Sequence, residues 1–447
     1  MQLTRKFLVK GAAWTIGAYG ISQLVRFVAN VILTRLLAPE LFGIMLIVNS
    51  LATGASLISD LGLGQNIVQN PDAEKPDFYN TVWTIQVIRG FLLWAGFTAA
   101  ALPLARFYES PELSLVMPIA ALGFLAGGLR SIGYSLLQKR MQLFSLNLFD
   151  VTMSIIGASS LITLALITPT VWALVFGALL GQAAYAFSSY FLVKGLKQRF
   201  HISKEYLKQI MHFGIWIFLS SIVYFLSTNL DRLYLAKAVP LELLGVYGLA
   251  RSISELLGTL VLRLAAVIVF PLIASLSHLP RAELRQKLSS PRLKLLLVAA
   301  LGSSLFASVA DILVNSLYDQ RYHAAGWMVP IMIFGVWIST LCGANEAILL
   351  GLGKPSFAAI GNSLKFGYLV VGLPLSFTAY GILGSLVVIA TSDVFRYFAI
   401  LAGQRLQRVS FGLYDGMVTA VMLCSFVLFE WLRCWWGFGT SLDGLRL

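Results

Sequence analysis

Thr34-Arg-Leu-Leu-Ala-Pro-Glu-Leu-Phe-Gly43 is a short polar break between two long apolar runs. A second break of the same kind, Ala236-Lys-Ala-Val-Pro-Leu-Glu-Leu-Leu-Gly245, follows 202 residues later. Each predicts a helical hairpin, with a basic residue, a turn bearing Pro and Glu, and a Gly that opens the next span. The residues that define this hairpin motif are Arg35, Pro39, Glu40 and Gly43 in the first copy and Lys237, Glu242 and Gly245 in the second. A period this long predicts two copies of one large unit.

The composition predicts a membrane protein. Of the 447 residues, 58% are hydrophobic and only 12% are charged, and runs of about 20 apolar residues are typical of transmembrane helices. The formal net charge of +13 comes largely from basic residues in short segments between the apolar runs. That placement is typical of topogenic charge and argues against a nucleic-acid partner.

The apolar runs predict an all-α polytopic membrane protein of two parallel six-helix lobes, related by an axis along the membrane normal. We assign residues 1–200 to the N-terminal lobe, 201–405 to the C-terminal lobe and 406–447 to an extra span and tail. The run 416–436 is either a thirteenth span or a helix that does not cross the membrane. The twelve preceding spans are predicted at 8–36, 41–66, 80–105, 113–137, 142–167, 170–194, 210–236, 242–277, 293–317, 326–350, 357–378 and 381–403.

Basic residues are distributed unevenly between the two sides of this layout. With a cytoplasmic N-terminus, the inner segments carry 19 Lys and Arg and the outer segments carry 5. The inner set includes Lys6, and it includes Arg292 at the end of a predicted linker, 278–292. Positive residues favour the cytoplasmic side, so we expect the N-terminus inside and residues after the thirteenth run outside.

Charged residues also lie within the predicted spans, where an isolated charge is costly and must face protein or water. The cations that we assign to a substrate cavity are Arg26, Arg89, Arg251, Arg263, Lys365 and Arg396, and Arg130 also lies within a span. The acidic candidates for ion coupling are Asp60, Asp231 and Glu255. Structural pairing is the alternative for some of them, with Asp231 and Arg232 as one candidate pair.

Two helix faces refine these assignments. Asn49, Thr53, Ser56 and Asp60 recur at helical spacing along the second span, a pattern that either lines a polar face or holds neighbouring helices together. Glu255 stands one turn from Arg251, so we expect these two residues to pair.

Arg26, Arg251 and Lys365 lie far from the ends of their spans, and we expect them to face a water-filled cavity. A carboxylate that loses its cation to substrate gains a proton more easily, so Glu255 is a hypothetical proton-coupling switch.

Catalytic and metal-site motifs are missing from the sequence. The three cysteines lie in apolar segments, and the four histidines are far apart, so neither a disulfide framework nor a metal site is predicted. Gly351-Leu-Gly-Lys-Pro355 lacks the Ser or Thr of a phosphate-binding loop. We therefore expect no cofactor and no enzymatic activity.

Four segments together resemble the bacterial polysaccharide-repeat flippases of the multidrug/oligosaccharidyl-lipid/polysaccharide exporter superfamily. They are 35–43, Asp60-Leu-Gly-Leu-Gly64, Asn229-Leu-Asp-Arg232 and Leu244-Gly-Val-Tyr247. The resemblance implies a V-shaped pair of lobes in the bacterial inner membrane. It also implies that undecaprenyl-diphosphate-linked oligosaccharide is moved by alternating access, with polysaccharide polymerase machinery as a further partner.

Other functions stay open at this point. A basic cavity suits the diphosphate of the carrier lipid, because the guanidinium fork binds phosphate oxygens in a bidentate manner. A multidrug exporter of the same superfamily would favour an acidic cavity instead. A flippase for the peptidoglycan precursor shares the implied fold. A membrane polymerase or glycosyltransferase would be expected to carry a larger outer domain, and a purely structural scaffold would not need charges within its spans.

Overall fold

In the computed structural model, the backbone is described for residues 5–276 and 280–446. Side chains are described for 14–211, 218, 220–263 and 280–445. The side chain of Lys6, which we counted with the inner cations, lies outside the described residues. Over the described backbone the protein is helical, without strands. Contacts divide the chain into two compact units, Met1–Phe225 with Ala236–Leu241, and Leu226–Leu235 with Glu242–Leu447.

The first unit contains the hairpin motif 34–43 and, through Ala236–Leu241, the first part of the motif 236–245. We call them the first and second outer hairpins after the topology expected from the sequence. The helices of the first unit are α1 (Arg5–Leu36), α2 (Pro39–Ile58), α3 (Leu63–Gln69), α4 (Pro76–Phe107), α5 (Leu113–Ala120), α6 (Leu122–Gly128), α7 (Gly133–Lys139), α8 (Leu143–Ile167) and α9 (Val171–Ser189). Helix α1 packs along α8, and α8 packs along α9.

The second unit contains the remaining long helices, apart from residues 204–225 and 236–241 of the first two, which belong to the first unit. They are α10 (Lys204–Ala238), α11 (Leu241–Leu276), α12 (Arg281–Leu317), α13 (Ala325–Gly351), α14 (Ser356–Leu406) and α15 (Gly412–Trp435). Helix α13 packs along α14, and α12 packs against both α13 and α15. These pairings bring the charged residues of α12–α15 together.

Many helices of this protein are long enough to span a membrane. Within the described residues, nine helices are long and apolar enough to cross a membrane, and a bent pair in the first unit raises the number to ten. Helix α14 reverses at Gly381, whose φ of 57° and ψ of −141° lie outside the helical range. Glycine accepts this positive φ without steric cost. The bend separates the two predicted spans 357–378 and 381–403, while α10 and α11 occupy the seventh and eighth.

The fourth predicted span, 113–137, is broken rather than continuous. Its first part ends at Gly128, and its second part begins at Gly133 with a bend of 51°. The amide of Gln86 on α4 donates to the carbonyl oxygens of Gly128 and Arg130 at 2.9 Å, and to that of Gly127 at 3.3 Å. Irregular backbone inside a membrane persists where its polar groups find partners or line a cavity. Gln86 supplies those partners here.

The basic linker 194–209 is fixed to the start of α4 over its middle part. The backbone N–H of Arg199 donates to Asn80 Oδ1 at 2.8 Å, and the N–H of Ser203 donates to Thr81 Oγ1 at 2.9 Å. Most of the predicted inner linker 278–292 is helical, because α12 begins at Arg281. Helical hydrogen bonding therefore starts about three turns earlier than the apolar pattern indicated.

The thirteenth apolar run forms α15, which meets the length and composition of a membrane span and packs along α12. Arg292 is 2% exposed and contacts Asp415 at 2.5 Å, so this residue of the predicted inner segment is buried against the start of α15. Its position on the inner side stays a prediction. Farther along the pair, the hydroxyl oxygens of Ser425 and Ser304 are 2.9 Å apart, and Arg433 contacts Asp311 on α12. Polar contacts at both ends and in the middle make α15 an integral part of the second unit.

Candidate functional site

A first charge network lies between α10 and α11 in the second unit. Arg251 Nε contacts Glu255 Oε1 at 2.7 Å, which is the pair expected from their spacing. The same guanidinium also contacts Asp231, and the Tyr247 hydroxyl donates to that carboxylate. The predicted pairing of Asp231 with Arg232 was wrong, since Arg232 instead approaches Glu255 at 3.5 Å. Two cations and two carboxylates thus compensate one another.

A second charge network lies between α13 and α14. Lys365 Nζ is 2.7 Å from Asp393 Oδ2, and Arg396 contacts Glu346. Arg396 also lies 3.5 Å from the other oxygen of Asp393. Again two cations face two carboxylates, and the Lys365 and Arg396 side chains are only 12% and 11% exposed.

These networks define what the cations of the second unit can do. A buried ion pair loses several kcal/mol when one partner is removed, because the other charge is left uncompensated. An anionic substrate that engages Arg251 or Lys365 must therefore replace a carboxylate that already holds the cation. Displacement of Glu255 is the easier of the two at Arg251, since its side chain is 42% exposed while Asp231 is 3% exposed.

The first unit presents its charges differently. It contains a cavity of about 710 Å³ among α2, α4, α5, α6 and α9, and Arg89 and Arg130 line it. Arg89 donates to Ser59 Oγ at 3.0 Å and to the Ser56 carbonyl at 2.6 Å. The predicted polar face of the second span, Asn49, Thr53, Ser56 and Asp60, lines the same cavity.

Asp60 was predicted within the second span, but it lies just beyond the end of α2. Its Oδ1 accepts a hydrogen bond of 3.0 Å from the Gly62 N–H. Gly62 has a φ of 63°, so glycine is favoured at this turn. The turn leaves Asp60 at the wall of the cavity rather than on a helix face.

Two further predicted cations have different surroundings. Arg26 is exposed on α1 and has neither an ion pair nor a hydrogen bond with the described side chains. Arg263 is exposed on α11, near the point where the described side chains of that helix end. Their assignment to a substrate cavity stays a prediction.

The first outer hairpin begins α2 with Pro39, a residue preorganised for the first helical position. Glu40 follows it, exposed, and Arg35 lies in the last turn of α1. Gly43 is buried, and a side chain added there would meet the backbone of Leu241, whose carbonyl carbon would be 2.9 Å from the new atom. Glycine therefore permits the close approach of the two hairpins.

The second outer hairpin carries Lys237, Glu242 and Gly245. Lys237 Nζ is 2.5 Å from Glu109 Oε1, and this hydrogen bond lowers the pKa of the Glu109 carboxyl below its ordinary value. Glu242 lies exposed in the first turn of α11, and Gly245 is buried in the next turn.

Sequence reasoning missed a buried network at the start of α15. Asp415 accepts from Arg292 at 2.5 Å, from Asn345 at 2.7 Å and from the Tyr397 hydroxyl at 2.9 Å. Gln404 donates to the Asn345 side-chain oxygen at 3.0 Å. These residues come from four helices, so helical spacing gave no signal for them.

A family described as polysaccharide biosynthesis protein matches residues 32–326. The chain belongs to this family. The match includes both outer hairpins and all of the cavity-lining residues of the first unit, and it confirms the resemblance drawn from the hairpin motifs. Among the residues described, no group of three or more His, Cys, Asp or Glu side chains is arranged to hold a metal ion.

Two curated relatives of this chain are also named as biosynthesis proteins. The succinoglycan biosynthesis transport protein ExoT of Rhizobium meliloti is 22% identical over 355 residues, which cover 78% of this chain and 70% of that protein. The teichuronic acid biosynthesis protein TuaB of Bacillus subtilis is 23% identical over 358 residues, which cover 79% of this chain and 73% of that protein.

This chain has the same fold as a solved membrane-protein structure. The lipid II flippase MurJ, in an inward closed conformation, matches with a TM-score of 0.66 at 12% identity. The match covers 97% of this chain and 89% of MurJ. At this identity the likeness shows the fold alone, and it confirms an all-helical polytopic membrane protein.

Proposed function

We propose that this protein is a flippase that moves undecaprenyl-diphosphate-linked oligosaccharide repeat units across the bacterial inner membrane by alternating access. The observation that carries the proposal is the family match over residues 32–326, in a chain built from membrane-length helices. The transport function in the name of ExoT supports a transporter rather than an enzyme. The biosynthetic pathway that this flippase serves would make an exopolysaccharide or O-antigen-type polysaccharide.

The proposed substrate site uses cations from both halves of the sequence. Arg26, Arg251 and Lys365 would hold the diphosphate, with Arg89, Arg263 and Arg396 as further cationic contacts. Arginine suits this work because its planar fork binds phosphate oxygens in a bidentate manner and stays charged at any working pH. The diphosphate would exchange with the carboxylates that hold these cations in the absence of substrate.

Ion coupling is assigned to the carboxylates displaced in this exchange. Glu255 and Asp231 both contact Arg251, and Glu255 is the more exposed of the two. A carboxylate freed from its cation in a membrane protein gains a proton more readily. Proton uptake by Glu255 would then keep it from competing with the diphosphate, and Asp60 is a second candidate in the first unit.

The proposed topology follows the charge bias of the sequence. The N-terminus would be cytoplasmic, residues 1–200 and 201–405 would form the two repeated lobes, and 406–447 would add a span and a tail. A polysaccharide polymerase is the expected functional partner, because a flipped repeat unit must be polymerised before it becomes a long chain.

A peptidoglycan-precursor flippase is the second candidate, and the fold similarity to MurJ is the observation that favours it. The multidrug-exporter alternative is disfavoured because the relatives found by sequence are named for polysaccharide biosynthesis.

Lipid analysis of a deletion strain tests the assignment. Deletion should cause undecaprenyl-diphosphate-linked oligosaccharide to accumulate on the cytoplasmic face, and a plasmid copy of the wild-type chain should reverse this. Accumulation of the peptidoglycan precursor alone would favour the second candidate. Unchanged lipid-linked intermediates, with unchanged surface polysaccharide, would contradict both.

A further inference from the structure

The basic linker 194–209 carries positive charge that the protein does not neutralise. It holds five exposed cations against one carboxylate, Glu205, so its formal net charge is +4 with His201 neutral. The five cations are Lys194, Lys197, Arg199, Lys204 and Lys208. Within the described side chains, none of the five pairs with a carboxylate. An anion from outside the chain can therefore bind them without displacing a partner.

Other cations around the start of α4 are already compensated. Lys75 Nζ lies 2.8 Å from a carboxylate oxygen of Asp72, and Arg140 Nε lies 2.9 Å from one of Glu74. These two carboxylates are thus held by cations outside the linker. The uncompensated charge of this region is concentrated in the linker itself.

Hydrogen bonds and apolar packing hold the linker in place, although it is not helical between α9 and α10. Besides the two hydrogen bonds to α4 described above, the backbone N–H of His201 donates to Oγ1 of buried Thr84 at 3.0 Å. The His201 ring also lies 3.5 Å from Asp77. Leu196 packs against the buried cluster that includes Phe78. A segment that is already ordered loses little conformational entropy when it binds a partner.

Apolar side chains beside the cations indicate the kind of anion. Phe200 and Ile202 are exposed within the linker, and Phe191 is exposed just before it. Aromatic side chains are enriched where a membrane meets water, at the level of the lipid headgroups. The linker follows α9, a helix of membrane-spanning length, so it begins at a membrane surface. The abundant anion at such a surface is a lipid phosphate.

We propose that the basic linker 194–209 binds the anionic phospholipid headgroups of the cytoplasmic leaflet. Its five cations contact the lipid phosphates, and its exposed apolar side chains enter the headgroup region. This contact fixes the linker end of the first unit at the bilayer surface. The assignment goes beyond the flippase function, and its choice of leaflet rests on the proposed topology.

Native mass spectrometry of the purified full-length protein in detergent tests this surface, because each bound lipid adds a known mass. The probes are anionic dioleoyl-phosphatidylglycerol and zwitterionic dioleoyl-phosphatidylcholine, which have the same acyl chains. Lys194→Gln with Lys197→Gln removes two cations of the linker. Lys75→Gln with Arg140→Gln is the matched control, because it removes the same charge from cations that already have carboxylate partners. Lys194→Arg with Lys197→Arg keeps the charge.

The wild type should bind phosphatidylglycerol about 10-fold or more tightly than phosphatidylcholine, and added salt should reduce this preference. Loss of each linker cation should weaken phosphatidylglycerol binding by up to about fivefold, so the double Gln variant should lose about 10-fold or more. The control should bind within about threefold of the wild type, because exposed ion pairs contribute little. The double Arg variant should bind like the wild type, since the attraction depends on charge.

Unfolding midpoints identify the variants that remain folded, and Lys204→Gln with Lys208→Gln decides if the first linker variant does not fold. Equal affinity of the wild type for the two lipids overturns the proposal, and so does equal weakening by the linker and control variants. Tighter binding of a polyglutamate peptide than of phosphatidylglycerol assigns the linker to an acidic protein and also overturns it. Accumulation of lipid-linked intermediates in the deletion strain would then leave the flippase function standing.

Discussion

Lys237 Nζ lies 2.5 Å from Glu109 Oε1 and so joins the second outer hairpin to the end of α4. The same ammonium group is 5.7 Å from the centre of the Phe107 ring. Both charged side chains are well exposed, at 40% and 80%, so the pair contributes little to global stability. Its position suits a contact that breaks when the hairpin moves during transport.

The first prediction concerns this contact. In a variant without native cysteines, Glu109→Cys with Lys237→Cys should be joined by a bis-methanethiosulfonate cross-linker that spans the space left by the two long side chains. Export should stop, because alternating access requires the hairpin to move, and a reductant should restore it. Each single cysteine variant, treated in the same way, should export normally. Full export by a completely cross-linked protein would exclude movement at this contact.

The same pair predicts a pH dependence. The hydrogen bond from Lys237 lowers the pKa of Glu109 in the folded protein, so the carboxylate stays charged below its ordinary titration range. The contribution of the pair is fully present above the ordinary pKa and is lost as the pH falls through the lowered pKa. Spin labels on the second outer hairpin and at the end of α4 should therefore report a closed distance at neutral pH and more open states in strong acid. Lys237→Gln should remove this pH dependence.

A third prediction separates transport from stability at Arg251. Arg251→Ala should reduce export and also destabilise the protein by about 3–5 kcal/mol, because it leaves buried Asp231 without its cation. Glu255→Gln should leave the unfolding midpoint nearly unchanged and uncouple export from the proton gradient. The measurements are the unfolding midpoint and export with and without an imposed gradient. Gradient-dependent export by Glu255→Gln would exclude a coupling role.

The charges of the two networks show how far the sequence alone leads. The pair Arg251–Glu255 could be predicted because a spacing of four residues places both on one helix face. The contacts of Arg251 with Asp231 and of Arg292 with Asp415 join different helices. Such contacts depend on how each helix is rotated about its axis and shifted along it relative to its neighbours. The residue periodicity of a single helix does not show this. The helices themselves were predictable because apolar length decides them.

The cavity of the first unit shows the same limit. The polar face of α2 was visible as Asn49, Thr53 and Ser56 at helical spacing. The break after Gly128 was missed, although Arg130 and Ser131 within it interrupt the apolar run. The backbone of the break finds partners on other helices, Gln86 on α4 and Ser189 at the end of α9, and the pattern of a single span does not contain these contacts.

A fourth prediction concerns the attachment of α15. Asp415→Ala should leave Arg292 buried without a counter-charge and destabilise the protein by about 3–5 kcal/mol. Differential scanning fluorimetry of the purified protein would show a lower unfolding midpoint. Asp319→Ala is the matched control, because it breaks the exposed pair with Arg321 and should cost at most about 1 kcal/mol. Equal midpoints for the two variants would mean that the buried pair does not hold α15 in place.

The last prediction tests the close approach of the two outer hairpins. Gly43→Ala would place a methyl group 2.9 Å from the carbonyl carbon of Leu241 and nearer still to its oxygen, and neither backbone atom is free to rotate away. The hairpins must therefore separate, and the cross-link between cysteines at 109 and 237 should form more slowly. Gly17→Ala on α1 is the control, because nothing lies within 4 Å of the added atom and alanine favours the helix by up to about 1 kcal/mol. It should leave the cross-linking rate unchanged and the protein at least as stable. Unchanged cross-linking in Gly43→Ala would show that the hairpin contact tolerates a side chain and does not depend on this glycine.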